Sequence, residues 1–270
     1  MAVENSGMLF YTEHRYYGLS LPFGNESYRL SNLKQLSLHQ SLADLAHFIR
    51  HQKSNDPEME DSKVILVGGS YSGSLVAWMT QLYPDLIAAS WASSAPLLAK
   101  ADFFGRRSSD CQDFGYSSML ELFTEDSVQS SETRAWFYQT CNEFGWYTTT
   151  KSKSSASQAF ANQVPLGYFE QLCQDAFGAE QTAHQLAHGV EQTNSKFGGF
   201  GFNQSERYAQ VIFTHGELDP WSALGQQKGD QAIVLTGYSH VEDLSSIRVM
   251  DSVQMNLAKL RVMSFLRRHI

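Results

Sequence analysis

The chain has 270 residues, 42% hydrophobic and 13% aromatic, enough to bury a full core in one large domain with room for an insertion. A formal net charge of −8 and a pI near 5.6 leave no excess of positive charge to neutralise phosphates, which argues against nucleic acid as a partner. There is no zinc-ligand cluster, no G-x-x-x-x-G-K phosphate loop and no apolar stretch long enough to span a bilayer, so neither a cofactor nor a metal nor membrane insertion is expected.

Residues 1–7 lack a basic n-region, so no signal peptide is expected at this start and the chain taken literally reads as intracellular. Two sequons, Asn25-Glu26-Ser27 and Asn203-Gln204-Ser205, point the other way, toward a secreted glycoprotein, although such triplets also arise by chance. Cys111, Cys141 and Cys173 permit one disulfide and leave one thiol over.

In chain order, Met8-Leu9-Phe10-Tyr11 is an apolar strand candidate that ends in the cluster Glu13-His14-Arg15-Tyr16-Tyr17-Gly18. Charges past a buried strand belong at the rim of a sheet, where they either fix the loop or meet a ligand. Leu21 to Asn25 is a turn region. Ser31 can then cap a long helix running to about His51, with Leu38, Leu42, Leu45 and Phe48 or Ile49 on its buried face. After a polar loop, Lys63 to Val67 is a strand rich in β-branched residues, and a turn of small residues leads into a helix with apolar positions 75, 78, 79 and 82. Leu86 to Ala92 supplies the next strand. The order strand, helix, strand, helix is the signature of a parallel sheet covered on both faces.

The character changes past Phe104. Residues 105–134 are polar with one helix expected from Ser117 to Phe123, and 148–158 is a Thr, Ser and Lys loop. An aromatic stretch, Trp136 to Tyr147, lies between them, and short helices near 168–177 and 180–193 complete an insertion. Regular α/β order resumes with strands at 209–214 and 231–235. A terminal helix from Met250 to His269 places Val253, Leu257, Leu260, Met263 and Leu266 on one face. The expected division is therefore 1–104 and 205–270 as two parts of one α/β core, and 105–204 as the insertion.

Gly68-Gly69-Ser70-Tyr71-Ser72-Gly73 sits at the turn between strand and helix. A serine at such an elbow is held by strained backbone with its hydroxyl exposed, which makes Ser70 the candidate nucleophile. Ser72 stands where the G-x-S-x-G pattern has its last glycine, so an ordinary βα turn whose serines cap the helix stays open. Ser70, Asp219 and His240 each fall just beyond the C-terminal end of an expected parallel strand, where such loops converge. Their order is that of α/β-hydrolases. A serine hydroxyl is a poor nucleophile near neutral pH, so His240 would take its proton and Asp219 would hold the imidazole tautomer. The Tyr71 backbone N–H, one residue on, is placed to donate to the oxyanion. Asp219 before Pro220 could equally start a turn, and His240 could be a surface residue.

Glu13 to Gly18, Ser20 to Gly24, the Ser70 elbow, Ser93-Ser94-Ala95-Pro96, Tyr138 to Glu143, Asp219-Pro220-Trp221 and Ser239-His240 together resemble the prolyl carboxypeptidase family. That family includes dipeptidyl peptidase II and the thymus-specific serine protease, whose branch this chain resembles. The resemblance implies an α/β-hydrolase fold, mostly parallel with helices on both faces, carrying a helical cap that is reduced here. It also implies a secreted or lysosomal setting, and serine exopeptidase activity on peptides, often beside proline. On that resemblance Ser70, Asp219 and His240 form the triad, Trp221 and Trp146 line the substrate cavity, and Cys141 and Cys173 form a disulfide. Glu143 would bind a peptide α-amino group, or else sit in a buried ion pair. Relatives begin with a signal peptide and further strands, including a glycine-bearing loop that would give a second oxyanion donor, and Cys111 resembles a cysteine whose partner lies in a segment missing here. Val241 replaces a residue that is cysteine in some relatives. The expectation is a dipeptidyl-peptidase or Pro-X carboxypeptidase type of serine peptidase. Its alternatives are an inactive or weakly active truncated form that binds peptide without turnover, and a lipase or esterase. Oligomeric state is not fixed and a homodimer stays open.

Overall fold

The structure is a computed structural model that describes residue 2 and residues 5–103, 115–124, 131–150, 163–197 and 208–270. Cys111, the second sequon and most of the expected 148–158 loop lie outside these residues. The chain divides into two compact units. One comprises Met1–Phe10, Leu42–Leu98 and Phe197–Ile270, the other Tyr11–Ser41 and Ala99–Lys196. The expected insertion is thus joined by residues 11–41, which sequence order had placed in the core.

The first unit is built on a four-stranded parallel sheet of β1 (Ile65–Gly69), β2 (Ala89–Ser93), β5 (Val211–Gly216) and β6 (Ala232–Leu235), in the order β1-β2-β5-β6. Helix α3 (Tyr71–Leu82) links β1 to β2, and helix α8 (Val253–Arg267) follows β6. Val262, Phe265 and Leu266 of α8 pack with Ala89, Trp91 and Ile212. Thr80 of α3 hydrogen-bonds Ser90 at 2.5 Å. Adjacent residues of a strand point to opposite faces, so the two helices cover both sides of the sheet. This is the α/β-hydrolase arrangement.

Three expectations change. Met8 to Tyr11 is not a strand, and these residues are 54%, 66%, 42% and 92% exposed. An apolar run pairs only where a neighbouring strand offers its backbone. The long helix begins at Leu38, not near Ser31: a four-residue α1 (Leu30–Leu33) ends first, and α2 (Leu38–Asn55) starts with the Ser37 hydroxyl accepting from the Gln40 N–H at 3.3 Å. On α8 the buried residues are Met255, Ala258, Lys259, Val262, Phe265 and Leu266, while Val253, Leu257 and Leu260 are exposed. The helix is apolar on more than one side, and its period alone does not choose between the sides.

The second unit holds β3 (Lys100–Phe103) paired in parallel with β4 (Gly145–Thr148). Around them lie α4 (Tyr116–Thr124), α5 (Ser131–Gln139), a π-turn at Thr140–Phe144, α6 (Leu166–Phe177) and α7 (Ala183–Phe197). Tyr16, Tyr28, Leu33 and Leu36 share a core with Phe137, Tyr138, Tyr147, Leu172 and Phe177, which is why residues 11–41 belong here. Arg134 is buried, donates to the Tyr28 and Phe123 carbonyls and stacks its guanidinium over Phe177. Cys141 and Cys173 form a disulfide with Cα atoms 5.9 Å apart, tying the π-turn to α6.

Gly189, in the middle of α7, is explained by close approach. A Cβ there would lie 1.8 Å from the Asn142 carbonyl oxygen. Gly189→Ala should therefore destabilise the protein by about 1–3 kcal/mol by overpacking, although alanine is the better helix former by ~1 kcal/mol. Chemical denaturation of both proteins checks the sign.

Candidate active site

The sheet register sets the site. Gly69 pairs with Ser93, Ser93 with Thr214, and Gly216 with Leu235, so the loops after all four strands leave at one end. Ser70 follows β1 directly with φ 56° and ψ −127°, a region that side chains with a Cβ rarely adopt. Its N–H donates to the Ser93 carbonyl at 2.9 Å, and its carbonyl accepts from the Ser74 N–H at 3.1 Å. The Ser70 side chain makes no capping bond to α3, so the capping alternative is not what this serine does. Ser72 turns back on the strand instead: its hydroxyl accepts from the Gly69 N–H at 3.0 Å and donates to the Gly69 carbonyl at 2.7 Å.

The displaced glycine of the motif has a steric reason. A Cβ on Gly73 would meet the Ser93 carbonyl oxygen at 2.8 Å, and one on Gly68 would meet the Ser72 carbonyl oxygen at 2.3 Å. The close approach of α3 to the sheet falls at 68 and 73, which leaves 72 free to carry a hydroxyl.

Asp219 is almost fully buried at the end of β5. One carboxylate oxygen accepts from the Trp221 N–H at 3.0 Å and the other lies 2.9 Å from Nδ1 of His240. One side chain thus bonds both the Trp221 turn and the His240 ring. The His240 side chain is 29% exposed. The loop that carries it rests on two glycines: a Cβ on Gly69 would meet Val241 at 2.8 Å, and one on Gly216 would meet the Ser239 carbonyl oxygen at 2.2 Å. His240 is thus bonded to Asp219 on a loop seated beside the residue before Ser70. Ser70 and His240 are not joined by a hydrogen bond, a contact that commonly tightens only with substrate in place. Tyr71 opens α3, and Trp221 is half-buried in the short 3-10 turn Pro220–Leu224.

Sequence reasoning gave no role to three neighbours, although Ser93 and Ser94 lie in one of the motifs that carry the resemblance. Ser93 and Ser94 are completely buried at the end of β2, and Asp243 is 3% exposed on the His240 loop. The Ser93 hydroxyl donates to Asp243 at 2.6 Å, and the Ser94 hydroxyl accepts from the Val241 N–H at 3.0 Å. Buried His215 lies near them, and burial pushes its imidazole below the ordinary value against the pull of the Asp219 carboxylate. Among the described residues, no group of three or more His, Cys, Asp or Glu is placed to hold a metal ion.

Two of the three residues expected from the resemblance to touch substrate, Trp146 and Glu143, have structural contacts in the second unit. Trp146 is 5% exposed and stacks on Phe144 with ring centroids 4.5 Å apart. Glu143 accepts from the Leu38 N–H at 2.7 Å, at the start of α2, and from the Gln139 amide at 3.3 Å. The alternative of an ion pair is replaced by a carboxylate set at the positive end of a helix.

Residues 1–109 and 106–262 match the family described as serine carboxypeptidase S28. The chain belongs to that family. Among S28-type relatives, the mouse thymus-specific serine protease is 25% identical over 377 aligned residues, covering 93% of this chain and 72% of its own. The human lysosomal Pro-X carboxypeptidase is 46% identical over 98 residues, which are 36% of this chain and only 20% of that protein. The alignment to the mouse protein is longer than the 270 residues here, so that relative carries segments with no counterpart in this chain. Solved structures are similar at a greater distance. The epoxide hydrolase A of Mycobacterium thermoresistibile matches 94% of this chain and 81% of its own at 17% identity and a TM-score of 0.41.

Burial raises the Glu143 carboxyl from its ordinary 4.5 to about 7, against the lowering effect of the Leu38 N–H, the Gln139 amide and Lys196. Between these values the folded chain keeps a proton that the unfolded chain has released. Stability contributed by this group is thus full below about pH 4.5 and falls as pH rises toward about 7, by at most ~1.4 kcal/mol per pH unit. Glu143→Gln keeps an oxygen for the Leu38 N–H, and melting temperatures measured across that window should show a flatter pH profile than the wild type.

Proposed function

We infer that this S28 chain is a serine exopeptidase that cleaves peptides through an acyl-enzyme on Ser70, with His240 as general base and acid and Asp219 as the orienting carboxylate. The observation that carries the reading is the 2.9 Å bond between Nδ1 of His240 and buried Asp219, on a loop packed against the strained Ser70 elbow. That bond leaves Nε2 as the basic nitrogen of the neutral ring.

In the reaction Nε2 takes the Ser70 proton as Oγ attacks the scissile carbonyl carbon. The oxyanion that forms takes a hydrogen bond from the Tyr71 N–H, a group at the positive end of α3. The imidazolium, stabilised by Asp219, returns its proton to the leaving amine as the C–N bond breaks. Water then repeats the sequence on the ester, releasing the acid and restoring Ser70. Trp221, held beside Asp219, would line the pocket for the residue next to the scissile bond. The names of the relatives favour bonds next to proline, with Pro-X carboxypeptidase and dipeptidyl-peptidase substrates as the two types to try. A secreted or lysosomal glycoprotein modified at exposed Asn25 fits the same reading.

A second reading, a peptide-binding chain with little turnover, is favoured by the segments that the longer relatives carry and this chain lacks. The two separate in one experiment. A fluorophosphonate probe should label the wild-type protein and leave Ser70→Ala unlabelled, while Asp219→Asn should label slower by orders of magnitude, about 10⁴-fold in known triads. Equal labelling of wild type and Ser70→Ala would overturn the peptidase reading. Labelling without turnover of either substrate type would favour the binding chain.

A further inference from the structure

Three residues that carry a Cβ hold a positive φ around this one end of the sheet: Ser70 at 56°, Ser94 at 50° and Val241 at 51°. Such conformations cost about 1–3 kcal/mol each and persist only when the surroundings over-determine them. Val241 is β-branched, the least suited of the three. All three are tied to the same dipeptide. Ser93 receives the Ser70 N–H on its carbonyl at 2.9 Å and gives its hydroxyl to Asp243 at 2.6 Å. Ser94 receives the Val241 N–H on its hydroxyl at 3.0 Å and gives its own N–H to the Thr214 carbonyl at 2.7 Å.

Resting on the triad reading above, we propose that Ser93 and Ser94, with Asp243, form a positioning clamp that fixes the His240 loop in register with the Ser70 elbow. β2 lies between the strand that ends at Ser70 and the strand that leads to Asp219. A residue at its end is therefore the one place from which both can be gauged together. The Asp219 bond fixes one nitrogen of the ring, but the ring's distance from Ser70 depends on where the backbone of residues 240–243 sits. Two hydroxyl contacts hold that segment on either side of residue 242, Ser94 on the Val241 backbone N–H and Ser93 on the Asp243 side chain. Both serines are fully buried and Asp243 nearly so, which keeps water from competing for these contacts. The clamp touches neither substrate nor reacting atoms, so its members are positioning residues.

Ser94→Gly is the decisive variant because it removes the hydroxyl while relieving the strained φ, so the fold should tolerate it. Ser93→Ala removes the other contact. Asp243→Asn keeps an oxygen to accept from Ser93, and Asp243→Ala does not. Two quantities are read for each: the rate and half-saturation of fluorophosphonate labelling, and the proton resonance of His240 Nδ1–H by NMR. Ser94→Gly, Ser93→Ala and Asp243→Ala should melt cooperatively, label about 10- to 100-fold slower at unchanged half-saturation, and show a shifted or broadened His240 resonance. Asp243→Asn should stay close to wild type. Unchanged labelling and an unchanged resonance in the folded variants would overturn the clamp. Loss of cooperative melting in all three would assign these residues to folding and overturn it equally. A wild-type chain that fails to label removes the triad reading, and the His240 resonance then decides the clamp alone.

Discussion

The backbone of Ser70 is the constraint on which the first unit depends. At φ 56° and ψ −127° the residue has left the strand and not yet entered the helix, a conformation that residues with a Cβ rarely adopt. Nothing local favours it, since Ser70 gains no capping bond in return. The conformation is held from outside: its N–H is taken by Ser93 on the neighbouring strand, and α3 is allowed close to the sheet by Gly68 and Gly73. A one-residue slip between β1 and β2 would move the Ser93 carbonyl away from that N–H and put a side chain where Gly73 now passes. The parallel register is thus a requirement of the elbow as much as of the core.

The same register accounts for what could be read in the sequence. β-branched and apolar runs, broken by small residues, located β1, β2, β5 and β6 to within a few residues, because in a buried parallel sheet the run itself is the signal. Once the strands were placed, the loops after them followed, and with them Ser70, Asp219 and His240. The serines of β2, quoted only as part of a motif, and Asp243 were given no role for a physical reason. Their importance lies in which backbone group each one bonds, and a serine at the end of a strand looks alike whether it faces solvent or a neighbouring loop. A hint was present in the pairing of Ser93-Ser94 with Ala95-Pro96, a small and stiff stretch where the chain must turn without bulk.

The terminal helix shows the opposite case, a strong pattern that misled. Positions 253, 257 and 260 are as regular a stripe as 255, 258 and 262, and larger side chains made the first look like the core side. The buried side also carries Lys259. It is buried, and its ammonium is fully engaged by Asp251 at 2.8 Å, the Ser245 hydroxyl at 2.9 Å and the Ser246 carbonyl at 3.1 Å. A buried cation needs such partners, and they come from the chain leading into the helix. Amphipathicity counted by residue type places a lysine outward. Counted by available partners, it allows this one inward, on the same face as Val262, Phe265 and Leu266 that pack on the sheet.

Glu143 carries the argument one step further, because there a distant partner decides where an element starts. The pattern from Ser31 to His51 reads as one helix, yet the chain breaks after Leu33 and restarts at Leu38. Ser37 caps from within, but the first N–H of the new helix is met by a carboxylate 105 residues further along the chain. That carboxylate is available only because the π-turn Thr140–Phe144 is anchored, by Cys141 to α6 and by the close contact of Asn142 with Gly189 on α7. Helix start, disulfide and glycine are therefore one device. The Glu143 carboxylate accepts two hydrogen bonds, from the Leu38 N–H and the Gln139 amide, and burial drives it toward its neutral form. Tyr17, Gln139, Glu143 and the Leu38 N–H form one hydrogen-bonded run, with the Tyr17 hydroxyl donating to Gln139 at 2.8 Å, so the start of α2 is tied to α5 and the π-turn together.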